Sequence, residues 1–257
     1  MARKPQFSES STTLDGLFAP DAPLLSGIDP PAEAPPGHLG HRARMRAKLL
    51  QAGPEALLDH EMLEMLLFQA LPRRDTKPIA RALLARFGSF ANAIAAPPRE
   101  LQEVEGMGEA GAAALKTVHA AALRLMRAEV KDQPVLNNWD RLIGYLTAAI
   151  SREAIEQFRV LFLDSRNRLI ADEAQARGTV NHTPVYPREV VKRCLELQAT
   201  AVILVHNHPS GDPTPSRADV EMTREVKAAA QVLGIAVHDH LIMGNGRHLS
   251  FRREGLL

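Results

Sequence analysis

Two histidines, a serine and an aspartate stand at intervals that suit a one-metal hydrolytic site. They are His206, His208, Ser216 and Asp219, and a seven-residue segment, 209–215, separates the second histidine from the serine. Imidazole nitrogens and carboxylate oxygens are common zinc ligands. Two histidines and one carboxylate leave the fourth tetrahedral position to water, which distinguishes a catalytic zinc site from a structural one. The spacing therefore predicts a zinc-dependent hydrolase.

The residues before the histidines predict a strand that positions them. The run 201–205 is apolar and largely β-branched, which is typical of a short buried strand. His206 and His208 follow directly at its end. Because side chains two residues apart on a strand share a face, both rings can reach one ion.

The residues after the histidines predict a loop and then a helix. Segment 209–215 contains three prolines and one glycine, which neither continue a strand nor begin a helix. Ser216 is predicted to cap a helix that ends near Gly234, with Asp219 in its first turn. Since residues three apart in a helical turn lie on one side, Ser216 and Asp219 can both face the histidines.

Other interpretations of these residues remain open at this point. Ser216 and Asp219 also fit an ordinary capping box, a pattern that begins many helices. Two histidines and one carboxylate can hold non-haem iron instead of zinc. The letters His-Asn-His match the name of the HNH nucleases only by coincidence of spelling, because the residues of that motif are spread along a longer segment. A metal-dependent nuclease is a separate functional alternative.

The string from Val205 to Asp219 resembles the bacterial RadC family, and within it the spacing resembles the JAMM motif of the MPN metalloproteases. The resemblance extends from about residue 40 to the C-terminus. It implies an α/β fold of the MPN type, in which helices flank a cytidine-deaminase-like mixed sheet. It also implies a zinc metallopeptidase that cleaves a peptide or isopeptide bond in a peptide or protein substrate. Further matching segments are Phe162–Asp164, Gly178–Asn181, Val185–Val190 and Asp239–Gly244.

The resemblance also implies a role for each site residue. His206, His208 and Asp219 would hold one Zn²⁺ per chain. Ser216 would donate a hydrogen bond to the oxyanion of the tetrahedral intermediate, or steady the site from behind the ligands. The natural substrate and the oligomeric state do not follow from the sequence.

The mechanism of this family needs an upstream glutamate at the start of a strand as general base. Glu156 is the predicted base because it precedes the strand-like run 158–163. Its alternative interpretation is a surface acid on a helix that ends near Gln157. The competing acids are Glu153, Glu173 and Glu189. Glu189 lies where a helix is predicted to begin and where the helix dipole favours an acid in any case.

Two further histidines lie in a predicted strand over 235–243. In a regular strand His238 and His240 would share a face, and both are predicted to form structural hydrogen bonds rather than to bind metal. The Asn245-Gly246 pair that follows predicts a hairpin. His182 lies in a predicted loop and has no assigned role.

Composition sets the outer limits of the interpretation. The chain has 257 residues, 45% of them hydrophobic, which is enough for two modest domains. Its net charge of +1 says little about partners. The single cysteine, Cys194, lies in a predicted helix over 188–197 and suits a reducing compartment. No run approaches the about 20 apolar residues of a membrane span. We expect a soluble, cytoplasmic protein without a membrane partner.

Three regions and one linker are predicted along the chain. Residues 1–37 contain seven of the 18 prolines and are predicted to be a disordered arm. Residues 38–128 show helical patterns without evident strands. Residues 129–137 resemble a linker, and from 138 to 257 β-branched runs alternate with helices, as in an α/β layered domain.

The helical region suggests a second function. Segment 101–115 resembles a helix-hairpin-helix, and 78–96 resembles a companion hairpin; such hairpins contact the DNA backbone independently of sequence. Three glutamates crowd the turn, and 38–128 holds 13 Lys/Arg against nine Asp/Glu, a surplus of four. Only weak DNA contact is expected. The alternative function is a DNA-associated binding module with a secondary metal site. The most basic patch is Arg42, Arg44, Arg46 and Lys48.

Overall fold

The computed structural model of the chain describes residues 40–131, 134–177 and 185–257. The predicted arm 1–37, the segment Gly178–Asn181 and His182 lie outside these described residues. The helices are α1 (His41–Ala52), α2 (Asp59–Ala70), α3 (Lys77–Phe87), α4 (Phe90–Ala95), α5 (Pro98–Gln102), α6 (Gly108–Lys131), α7 (Trp139–Ile150), α8 (Pro187–Glu196) and α9 (Arg217–Gln231). The strands are β1 (Gln157–Leu163), β2 (Leu169–Arg177), β3 (Ala201–Asn207), β4 (Ala236–Gly244) and β5 (Arg247–Ser250).

Helices α1 to α6 form the N-terminal helical region. The apolar side chains of α2 to α6 share one buried cluster that includes Leu67, Leu83 and Leu115. The predicted helical hairpin is present, since α5 and α6 are joined by a short turn whose Gly106 has a φ of 83°. A positive φ is a conformation that glycine adopts at little cost. The predicted linker 129–137 contains the last residues of α6 and a 3₁₀ turn.

A five-stranded mixed sheet forms the C-terminal half. Its strand order is β2-β1-β3-β4-β5, with β3 and β4 parallel and the other neighbours antiparallel. Helices α8 and α9 cover one face, where Val190 and Val226 pack against strand residues such as Phe158. Helix α7 covers the other face through Leu142 and Leu146. This architecture confirms the predicted α/β mixed sheet preceded by a helical region.

The pairing of β1 with β3 sets the position of the predicted site. Phe158 lies opposite His206 in this antiparallel ladder, and the pairing continues to Leu163 opposite Ala201. Every residue of β3 is buried, as expected for a strand with helices on both faces. His206 and His208 consequently lie at the C-terminal end of β3, the central strand of the sheet.

The predicted shared face of His238 and His240 is wrong. The register between β3 and β4 shifts between Val202 and Ile203, so that β4 contains a bulge with an extra residue. A bulge breaks the regular alternation of side chains. His240 contacts His206, whereas His238 lies within hydrogen-bond distance of Asn167 and lines a different part of the surface.

Two further local predictions, the hairpin and the helix that contains Cys194, agree with the structure. Strands β4 and β5 form a hairpin in which Gly244 pairs with Arg247, so that Asn245 and Gly246 are the loop. Cys194 lies in α8 and is fully buried, which raises the pKa of its thiol to about 11. Among the described residues no helix combines the length and apolar character that a membrane crossing requires.

Candidate metal centre

The structure brings His206, His208 and Asp219 together although they come from β3, the following loop and α9. The two Nε2 atoms are 3.0 Å apart. Nε2 of His206 lies 3.3 Å from Oδ1 of Asp219, and Nε2 of His208 lies 3.6 Å from Oδ2. A tetrahedral zinc ion with bonds of about 2.0–2.1 Å keeps its ligand atoms roughly 3.3 Å apart. Within the described residues this is the one group of three side chains arranged to hold a metal.

The hydrogen bond made by Nδ1 of His208 determines the protonation of Nε2, the nitrogen that faces the cluster. Its Nδ1 is 2.7 Å from the carbonyl oxygen of Asp212, in the loop that follows. A carbonyl only accepts hydrogen bonds, so Nδ1 carries the hydrogen of the neutral ring and Nε2 presents a lone pair. A backbone carbonyl on the outer nitrogen is a typical support for a metal-binding histidine. The donor set fits a cation such as Zn²⁺.

Burial and mutual charge shift the pKa of each group in the cluster. Burial lowers the pKa of His206 to about 4. The adjacent Asp219 carboxylate raises the pKa of His208 despite partial burial. Burial alone would raise the pKa of Asp219, but the two adjacent imidazoles and the hydrogen bonds from Ser216 bring it well below its usual range. The carboxylate is ionised at neutral pH, as a metal ligand must be.

Ser216 is engaged in capping α9 and in holding Asp219. Its hydroxyl and its backbone N–H each donate to Oδ2 of Asp219 at 2.7 Å, and the hydroxyl accepts from the Asp219 N–H at 3.1 Å. This is the predicted capping box. Of the two roles expected for Ser216, these contacts favour steadying the carboxylate.

Glu156 lies beside the cluster at the entrance to β1. Helix α7 ends at Ile150, so Glu156 belongs to a loop and not to the end of a helix. Glu156 directly precedes β1, whose Phe158 pairs with His206 at the end of β3. The half-buried carboxylate of Glu156 contributes to raising the pKa of His208. The position suits a base that acts on a group held by the cluster.

The competing acids occupy other environments. Glu173 forms a two-pronged ion pair with Arg193, with N–O distances of 2.7 and 2.8 Å, and this lowers the pKa of Glu173. Glu189 lies in the first turn of α8 and is exposed next to Arg188. Glu153 precedes Glu156 in the same loop and contributes a backbone carbonyl to the contacts described next.

The buried Asn207, which the sequence did not single out, connects the two halves of the site. Its Oδ1 accepts from the Gln157 N–H at 2.9 Å. Its Nδ2 donates to the carbonyls of Glu153 and Ile155 at 3.1 and 3.2 Å. The amide therefore fixes the loop that carries Glu156 to the end of β3. The available signal was its place between two same-face histidines, which sends its side chain to the other face.

Several basic side chains of the helical region bind groups of the same region. Arg42 donates to the backbone carbonyls of three residues near the end of α2 and beyond, at 2.8–3.1 Å. Lys48 pairs with Glu61, and Arg86 forms an ion pair with Glu103 next to the hairpin turn. These contacts hold the helices together.

Comparison with known proteins identifies both halves of the chain. A family model described as a RadC-like JAB domain matches residues 136–256, and one described as UPF0758 N-terminal matches residues 38–113. The fold and the site thus define a JAB domain preceded by a helical domain. A UPF0758 protein from Rhodobacter capsulatus is 60% identical over 213 residues, which is 83% of this chain and 100% of that relative. The chain belongs to the UPF0758 family, and the resemblance to RadC is confirmed.

Proposed function

We propose that the protein is a zinc-dependent hydrolase that cleaves a peptide or isopeptide bond. The observation that carries the proposal is the cluster of His206, His208 and Asp219 with Glu156 beside it. The cluster contains two uncharged nitrogen ligands and one carboxylate, which is a donor set found in catalytic zinc sites. When bound, zinc would supply a polarised water molecule whose pKa is about 7 rather than about 15.7.

The protein residues have distinct parts in this reaction. Glu156 takes a proton from the attacking water as its oxygen bonds to the carbonyl carbon. The same carboxylic acid then gives that proton to the nitrogen as the carbon–nitrogen bond breaks. The products are an amine and a carboxylic acid, which keeps the second proton of the water until it ionises in solution. Such proton transfer typically contributes on the order of 10²- to 10⁴-fold to the rate. Ser216 keeps the Asp219 carboxylate directed at the ligand position.

A cleft beside the site supports a polymeric substrate. Its volume is about 390 Å³, and its walls come from both the helical region and the JAB domain. Arg86, Asn92 and Arg152 line one part, and Pro209 and Gly211 of the loop after His208 line another. Ligand clefts commonly have volumes of about 300–1,000 Å³. Pro209 directly follows His208, so one wall of the cleft adjoins the candidate centre, although the proposed ligands and Glu156 are not themselves among its lining residues.

Metal content and hydrolysis together test the proposal. Inductively coupled plasma mass spectrometry of the purified protein should find one zinc per chain, and the same measurement distinguishes zinc from iron. A peptide library followed by mass spectrometry should show cleavage that stops with a chelator and returns with added zinc. The Glu156→Gln variant should keep its zinc and lose hydrolysis by about 10²-fold or more. His208→Ala should lose zinc and activity together.

A matched control separates a specific role from a general loss of charge. Glu189→Gln removes an exposed acid at the start of α8 and should leave both zinc content and hydrolysis unchanged. A zinc-free wild-type protein, or full hydrolysis by Glu156→Gln, would refute the proposed mechanism. Salt-sensitive duplex DNA binding that survives His206→Ala would support the binding-module alternative, and DNA cleavage lost in that variant would indicate a nuclease.

A further inference from the structure

A chain of hydrogen bonds behind the cluster begins at Thr223. This residue lies one helical turn after Asp219 on α9, and its Oγ1 is 2.5 Å from the Asp219 carbonyl oxygen. The carbonyl has no hydrogen to offer, so the threonine hydroxyl must be the donor. Oγ1 is also 2.6 Å from Nδ1 of His240. The hydroxyl has only one hydrogen, and therefore it accepts in this second contact and His240 Nδ1 donates.

The direction of that bond fixes the two rings that follow. His240 is fully buried between the rings of Phe158 and Phe251, with centroid distances of 5.9 and 4.5 Å. Burial disfavours the charged form of an imidazole. A neutral His240 with its hydrogen on Nδ1 has a free lone pair on Nε2, and this atom is 2.8 Å from Nδ1 of His206. His206 must then donate from Nδ1.

We propose that Thr223 and His240 are positioning residues that hold His206 in the tautomer with its Nε2 lone pair directed at the metal position. The proposal deepens the proposed function, because it concerns how the same site acquires its affinity. The chain of bonds starts at the Asp219 backbone and ends at His206, whose Nε2 faces the Asp219 carboxylate. It therefore links two ligands on α9 and β3 through a residue on β4.

The chain of bonds also explains polar groups that are costly to bury. Thr223 and His240 are 1% and 0% exposed. The hydroxyl of Thr223, both ring nitrogens of His240 and Nδ1 of His206 all have partners within the chain of bonds, and Nε2 of His206 faces the metal position. Space filling alone would be served by apolar side chains of similar volume, without this cost of desolvation. A fixed tautomer is the property that polar residues add.

Nitrogen NMR of the metal-free protein tests the tautomer directly. Long-range proton–nitrogen correlation spectra of histidine-labelled protein near neutral pH should show His206 protonated at Nδ1. In Thr223→Val, which keeps the volume but removes the hydroxyl, the His206 signals should shift towards the other tautomer or a mixture. A wild-type His206 protonated at Nε2 would overturn the proposal. This readout does not depend on metal or on hydrolysis.

Zinc affinity measured by competition with a chelator of known affinity supplies the second readout. Loss of such supporting bonds typically weakens metal binding by about 10- to 100-fold, and this is expected for Thr223→Val and His240→Leu. Thr223→Ser and His240→Gln retain a donor and an acceptor and should recover most of the affinity. Thr117→Val is the matched control, because the Thr117 hydroxyl donates to a carbonyl one turn back but contacts no described histidine.

The outcomes separate this proposal from the proposed function. Unchanged zinc affinity in Thr223→Val, with a folded protein, would refute the positioning role while leaving the hydrolase intact. If His240→Leu does not fold, the threonine variants still decide the question. A wild-type chain that does not bind zinc would overturn the hydrolase and the effect on affinity together. The tautomer of His206 would then still test the chain of bonds.

Discussion

Replacing Asn207 by alanine should destabilise the fold and release the loop that carries Glu156, while metal binding is retained. The variant removes three hydrogen bonds of a buried side chain, to the Gln157 N–H and to the carbonyls of Glu153 and Ile155. Each bond contributes a net 0.5–1.5 kcal/mol, so the expected loss is about 2–4 kcal/mol in the free energy of unfolding. The loop that carries Glu156 also loses its attachment to β3.

Urea denaturation of the metal-free protein measures that loss. The midpoint should fall while the slope of the free energy against urea stays the same, since the surface exposed on unfolding hardly changes. Asn137→Ala is the matched control, because Asn137 is exposed and its replacement should stay within about 0.5 kcal/mol. Zinc should still bind to Asn207→Ala with His206 and His208 in place, whereas hydrolysis should fall.

Three results would contradict this reasoning about Asn207. A stability within about 0.5 kcal/mol of wild type would mean that the three bonds contribute no more than a surface side chain does. Unchanged hydrolysis in a clearly destabilised variant would mean that Glu156 does not depend on the loop attachment. Loss of zinc together with activity would show that Asn207 acts on the ligands and not on the base.

The remaining predictions concern acid stability, a helix end and a close backbone contact. Because burial lowers the pKa of His206 to about 4 from 6.5, the unfolded metal-free chain binds more protons between these values. Its stability should therefore fall by at least roughly 3 kcal/mol as pH decreases through that window, because burial also lowers the pKa of His240 and adds to the effect of His206. The raised pKa of His208 acts above this window, and a flat urea-denaturation profile would contradict the assignment. Lys116→Met should lower the free energy of unfolding by about 1–3 kcal/mol, because the ammonium donates to three successive carbonyls at the end of α4. An unchanged midpoint in thermal and urea denaturation would show that water replaces the ammonium. Gly244→Ala should lower the free energy of unfolding by about 1–3 kcal/mol and weaken zinc binding in a chelator competition. The reason is that the new Cβ would lie 2.5 Å from the Gly211 carbonyl oxygen, in the loop after His208. Wild-type zinc affinity would mean that this loop adapts freely.

The sequence predicts those parts of the fold and site that depend on local patterns. The apolar run before His206 is a strand, the proline-rich segment is followed by a capped helix, and the Asn-Gly pair forms a hairpin loop. In each case an apolar β-branched run, a capping residue or a turn residue lies within a few positions of the element that it predicts. The approach of Asp219 to His206 and His208 follows from the same local elements.

Contacts that depend on strand register were not accessible in this way. Asn207 meets Gln157 across 50 residues of sequence, and the register that brings them together is set by the packing of the whole sheet. The bulge in β4 separated His238 from His240 although their spacing matches that of the ligand pair. Thr223 gave a weak local signal, one turn after Asp219, but its partner His240 lies on another strand.

The alternation of side chains along β3 makes the site intolerant of insertions and deletions. His206 and His208 face the candidate metal position, while Asn207 between them faces the loop that carries Glu156. Adding or removing one residue within β3 would exchange these faces, so two ligands and the loop attachment would be lost in a single event. Single-residue length changes in β3 are therefore all-or-none, whereas loops far from the site tolerate them. Transplanting the centre into another scaffold would require the His206–His208 tripeptide in register with both β1 and the start of α9.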